Sequence, residues 1–366
     1  MGKKHTIPAL FLLILISAAG GLTLNAQESR LDSLMGITRE SMDTRDRIKA
    51  YNLIASEVRV TDRYRAAEMA EKAMTLAVGA DDRKGLASAL TIKGQLSEDA
   101  DNFSDALNYY LKALDIYIEL NSEEDIASLR SMAGSVSKTL GNYDKAIEHC
   151  HAGLRIYEKL NNKTGIAYIY RILGSVYKYK GDYDKSLHYY FNGLGLNEEL
   201  GNRTGMAAAY NNIGIVYLLM GDIEQALDYY RKSLEINLAD GVETEASINY
   251  GNIGVAYLQL GMMDSAMHYI SKRHSLVLQM NDRKGLASTL ESLGEYYFRA
   301  GDYDMALDYY RQALSQSRIL GILETTKSTL NNMSELYEAR GDYMTSMSYY
   351  KAYVNLRDSL LNQETL

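Results

Sequence analysis

Small and large apolar positions alternate along this chain at helical spacing. Ala226 and Tyr230 stand four residues apart, as do Ala106 and Tyr110, Ser186 and Tyr190, and Ala306 and Tyr310. Residues so spaced share one face of a helix. Five residues upstream of each pair lies a polar break, as at Gly181-Asp182, Gly221-Asp222 and Gly301-Asp302. Glycine suits the stop of one helix, and an Asp or Asn side chain caps the start of the next. Seven residues before each break is a further glycine, at Gly94, Gly134, Gly174, Gly214, Gly254 and Gly294, with Ser334 in the last segment. Mid-helix glycine costs about 1 kcal/mol relative to alanine. Its recurrence therefore predicts two helices that approach too closely for a side chain. Each segment reads as helix, tight turn, helix.

The breaks begin 40 residues apart, from Asp101 through Gly141, Gly181, Gly221, Gly261 and Gly301 to Gly341, without insertion or deletion. Loops tolerate extra residues at little entropic cost, so a strict period requires each unit to stack on the next in the same way. The pattern Ile213-Gly214-Ile215-Val216-Tyr217, Gly221-Asp222, Ala226-Leu227-Asp228-Tyr229-Tyr230 resembles the tetratricopeptide repeat in a longer, forty-residue form. The proline that closes the second helix in that family is missing throughout. The resemblance implies an all-α fold, a right-handed α-solenoid of tandem helix-turn-helix units. The expected organisation is a signal peptide over 1–26, N-terminal helices and a degenerate first repeat over 27–85, seven clear units over 86–353 and a helical tail over 354–366. In the degenerate repeat Thr61, Ala66, Ala70 and Ala73 keep the spacing without the aromatics.

Composition agrees with helix: 28 Gly but a single Pro, and 46% apolar residues. Tyrosine is over-used, with 31 Tyr against 4 Phe and no Trp, as expected of a residue that returns once or twice in every unit. The formal net charge of -8 opposes binding to a phosphate backbone, so no nucleic-acid partner is expected. The single Cys150 excludes an intrachain disulfide. Lys3 and Lys4, the apolar run from Ala9 to Ala19 and the small Ala26 before Gln27 match a secretory signal. They predict export to a periplasmic or extracellular space and no membrane insertion after cleavage. The alternative is an uncleaved N-terminal anchor.

Candidate chemistry is sparse. His149-Cys150-His151 puts its two imidazoles about 200° apart on a helix, so no metal is expected there. Gly193-Leu194-Gly195 falls inside a predicted second helix and has none of the strand context of a phosphate loop. Neither a catalytic constellation nor a cofactor is expected, and the function class read from the sequence is binding.

The resemblance implies that the first helices line a concave surface where a peptide or helix binds. Residues ten, six and three before each turn fall at i, i+4 and i+7 and form one stripe that avoids the core Gly and Tyr. From its third unit the stripe reads Arg171, Ser175, Lys178; Asn211, Ile215, Leu218; Gly251, Val255, Leu258; Glu291, Glu295, Phe298; Asn331, Glu335, Glu338. Ile215, Leu218, Val255, Leu258 and Phe298 are the expected apolar anchors. Arg171 and Lys178 are expected to take a carboxylate, and Glu291, Glu295, Glu335 and Glu338 to take basic residues. Asn211 and Asn331 are placed to bond a peptide backbone, while Asn252 and Asn332 could tie neighbouring units together. The expected function is an exported protein-interaction scaffold, which could also self-associate. The alternative is the sensory part of a bacterial membrane regulator.

Overall fold

The computed structural model describes residues 30–38 and 43–363; the expected signal peptide lies outside them. The chain divides into two compact units, one ending at Val136 and one beginning at Ser137. The first contains α1 (30–38), α2 (Thr44–Val58), α3 (Arg63–Gly79), α4 (Arg83–Asp99), α5 (Phe103–Glu119) and most of α6 (Glu123–Thr139). The second contains the end of α6, then α7 (Tyr143–Lys159), α8 (Lys163–Tyr179), α9 (Tyr183–Glu199), α10 (Arg203–Met220) and α11 (Ile223–Ala239). It continues through α12 (Glu243–Gln259), α13 (Met263–Gln279), α14 (Arg283–Arg299), α15 (Tyr303–Ile319), α16 (Leu323–Ala339) and α17 (Tyr343–Gln363). All regular structure among the described residues is helical, and each unit is a stack of antiparallel helix pairs, an α-solenoid. None of the described helices is long and apolar enough to cross a membrane.

The turns work as the residues dictate. Gly221 takes a left-handed φ of 83°, a conformation that costs glycine nothing. Its N–H reaches Leu218 O at 3.1 Å and the Asp222 N–H reaches Tyr217 O at 2.9 Å, which satisfies the carbonyls at the end of α10. Asp222 Oδ1 then accepts from Gln225 N at 3.1 Å and caps α11. Asp62 caps α3 in the same way, accepting from Arg65 N at 3.0 Å.

Close packing within a pair depends on the recurrent glycine. A Cβ built on Gly214 would stand 2.7 Å from the Tyr230 ring, and one on Gly294 would stand 2.4 Å from the Tyr310 ring. Tyr110, Tyr190, Tyr230 and Tyr310 are accordingly buried. In the last pair, where Ser334 replaces the glycine, Tyr350 is 47% exposed. The tyrosine just before Tyr230 and the one just before Tyr310 have their own place, each stacked on the tyrosine four residues before the turn. Tyr217 and Tyr229 lie 5.5 Å apart at 2°, and Tyr297 and Tyr309 lie 5.4 Å apart at 7°. Cys150 fills the tyrosine position of α7 and is buried, and its surroundings push its thiol up to about 12.

Candidate functional site

In the second unit α8, α10, α12, α14 and α16 are the first helices of successive pairs, and neighbours among them touch. Together they form a wall that carries the predicted stripe. Its basic end comes from α8. Arg171 is exposed and lies 4.8 Å above the Tyr168 ring, a cation–π distance. Lys178 is half-buried and 4.6 Å from the Tyr179 ring. Burial lowers the pKa of Lys178, and the charge of Lys138 lowers it further. Beside Arg171 a cavity of about 270 Å³ opens between α8, α9 and α10, reaching Tyr190, Gly193 and Asn197.

The middle of the wall is aliphatic. Ile215 and Leu218 are half-buried and rest on the core formed by Ala226, Tyr230 and Ile253, and Val255 is likewise half-buried. Leu258 corrects the expectation: it is 1% exposed and belongs to that core with Ile270 and Leu293. The next pair covers it, and Arg299 Nη1 donates to Leu258 O at 3.3 Å. It cannot anchor a ligand in this arrangement.

The asparagines are also committed inward. Asn211 Oδ1 accepts from Asn249 Nδ2 at 3.1 Å and from Asn252 Nδ2 at 2.9 Å. Asn249 Oδ1 in turn accepts from Asn237 Nδ2 at 2.8 Å. A polar clasp thus joins α10, α11 and α12, so the acceptor of Asn211 holds neighbouring helices rather than a peptide N–H. Asn331 Nδ2 donates to Glu335 Oε1 at 2.7 Å.

At the acidic end, Glu291 is half-buried and accepts from Asn332 Nδ2 at 3.3 Å. Burial pushes its carboxyl up to about 7 and the charge of Glu295 adds to the rise, while a hydrogen bond from Ser328 and the charge of Arg273 oppose it. Glu295 accepts from Tyr310 Oη at 3.0 Å and pairs with Arg299. Glu335 is exposed. Phe298 is half-buried, with its ring 5.7 Å from that of Tyr303.

The stripe missed Arg273, which reaches the wall from a second helix. Gly251 and Arg273 are both departures from the forty-residue pattern, and comparing the units position by position would have flagged them.

The tetratricopeptide repeat model matches residues 125–191, 167–239, 205–279, 244–319 and 285–359. No curated protein matches the sequence. Among solved structures, the apo form of the quorum sensor NprR from B. thuringiensis is similar at a TM-score of 0.69 and 16% identity, over 90% of this chain and 98% of that one. Aspartyl phosphate phosphatase F from Bacillus subtilis gives 0.67 and 13%, over 97% and 96%. The Rap conjugation gene regulator of the plasmid pLS20, in complex with the Phr* peptide, gives 0.66 and 14%, over 92% and 96%. At these identities the likeness is one of fold.

Proposed function

Because the chain belongs to the tetratricopeptide repeat family, a family of protein-interaction scaffolds, we propose that it binds a peptide along the wall of first helices in its second unit. One observation carries this reading. The half-buried aliphatic patch of Ile215, Leu218 and Val255 lies between two cations and a set of carboxylates. Arg171 and Lys178 form no ion pair among the described residues. A contiguous apolar strip with a polar rim is the usual mark of a partner surface. An extended segment with an acidic end toward α8 and basic residues toward Glu335 would complement it. The Phr* complex of a protein of similar fold supports a peptide as the occupant.

Export is part of the proposal, supported by Lys3, Lys4 and the run from Ala9 to Ala19. A second reading, the sensory part of a membrane signal-transduction regulator, draws on α17, which at 21 residues is longer than the 17 residues of its neighbours. Sequencing the gene past the codon for Leu366 tests it, since that reading needs a transmitter module downstream.

Peptide selection by phage display on the full-length chain tests the main reading. Selected peptides should lose at least about a hundredfold in affinity on Leu218→Glu and on Lys178→Glu, with helicity retained. Peptides that bind both variants as they bind the parent would place the site elsewhere.

A further inference from the structure

At residue 273 the stacking pattern is broken. The equivalent residues of α5, α7, α9, α11 and α15 are Ala113, Gly153, Gly193, Ser233 and Ala313, all small, and Tyr353 stands there only in the last helix. Arg273 puts a guanidinium there. The wall residue next to it is Gly251, where the neighbouring first helices carry Asn211 and Glu291.

The two exceptions fit one another. A Cβ on Gly251 would stand 2.5 Å from Arg273 Nη1 and 2.9 Å from its Cζ. The arginine therefore fills the space that a side chain at 251 would take. Its Nη2 donates to Ser288 Oγ at 2.6 Å, which places the guanidinium between α12 and α14. Arg273 Nε is buried with no partner, and among the described residues no carboxylate pairs with the group.

A guanidinium presents five donors in a planar fork that matches a carboxylate. Burying that charge with donors unmade is costly, and its surroundings lower the arginine's pKa, burial being the chief cause. The charged groups nearby do not complete the fork: Asp282, whose charge acts most strongly on it, caps α14 by accepting from Gly285 N at 2.9 Å. Glu291 accepts from Asn332, and Glu295 is held by Tyr310 and Arg299. With its carboxyl pushed up to about 7 by burial, Glu291 opposes an incoming carboxylate less than an ordinary glutamate would. A dianionic phosphate beside the same two glutamates would be repelled more strongly.

We propose that Arg273, set into the gap at Gly251, forms a carboxylate-binding subsite on the wall between α12 and α14, and that it receives an Asp or Glu side chain of the bound peptide. The second half rests on the peptide-binding reading; the subsite itself does not.

The test uses full-length protein with ¹⁵N-labelled arginine, titrated with glutarate, with neutral glutaramide and with inorganic phosphate. One side-chain Nε–Hε resonance, lost in Arg273→Lys, should move saturably with glutarate and stay still with glutaramide. Gly251→Ala adds a methyl where the guanidinium lies and should weaken the response at least about tenfold. A resonance that ignores glutarate, follows glutaramide equally or responds more strongly to phosphate overturns the assignment. The wild-type titration decides even if a variant fails to fold. The display-selected peptides separate the two readings. If they bind through Leu218 but tolerate every Asp→Asn and Glu→Gln change, the subsite is wrong and the groove stands. If glutarate is taken up but no peptide is, the groove is wrong and the subsite stands.

Discussion

The hydroxyl of Tyr310 donates to Glu295 Oε2 at 3.0 Å, so a residue whose ring forms the floor of one helix pair also reaches the wall of first helices. Tyr110 does the same through Glu98 Oε2 at 2.7 Å. Tyr230 has the same ring position, but Ile215 and Leu218 occupy the places of the two glutamates, and its hydroxyl is buried without a partner. Removing the hydroxyl should therefore have opposite effects. Tyr310→Phe should cost about 1–3 kcal/mol by breaking a bond to a charged group, whereas Tyr230→Phe should be neutral or stabilising by up to about 1 kcal/mol. Urea unfolding of the two variants measures both, and equal losses would mean that a partner of Tyr230 has been missed.

Glu291 should make stability depend on pH. Its folded carboxyl sits near 7, above the ordinary 4.5, so the folded state holds its proton more tightly than the unfolded chain does. That contribution is present at low pH and is lost as pH rises from about 4.5 through 7. The shift corresponds to at most about 3 kcal/mol. Melting temperature should fall between pH 5 and pH 8, and Glu291→Gln should flatten the fall. A slope that survives Glu291→Gln undiminished would show that Glu291 is not its source.

The tightness at Gly214 gives a packing prediction. Gly214→Ala places a methyl 2.7 Å from the Tyr230 ring and 3.2 Å from Ala226 O, and should cost about 1–3 kcal/mol through overpacking. Changing Tyr230 to Ile as well should leave most of the strain in place, because a Cβ on Gly254 in the next pair would likewise stand 2.8 Å from Ile270 Cγ1. A double-mutant cycle measures the coupling.

Cys150 should be inert in the folded protein. Its thiol, pushed up to about 12 and fully buried, has almost no thiolate at neutral pH. Ellman's reagent should react at the rate of unfolding, and rapid labelling in native buffer would contradict the buried position.

The helix pairs, their turns and the Gly214–Tyr230 type of contact were legible in the sequence because each follows from residues a fixed distance apart on one hairpin. The aliphatic centre of the wall was legible for Ile215, Leu218 and Val255 for the same reason. Leu258 was not, because the groups that bury it, Leu293 and the Arg299 side chain, come from the following pair. Asn211 was expected to meet a peptide backbone, and its acceptor is taken instead by Asn249 and Asn252 of the following pair. Arg273 escaped the stripe because periodic spacing along first helices assumes that each inward place is filled by its own helix.

The fit between Gly251 and Arg273 carries an evolutionary consequence. At exposed wall positions such as Arg171 and Glu335 a side chain can drift without disturbing how hairpins nest, so ligand preference can change there one unit at a time. At this pair the two freedoms are joined. Descendants that regain a side chain at 251 must first shorten residue 273, and lineages should keep glycine with arginine or lose both.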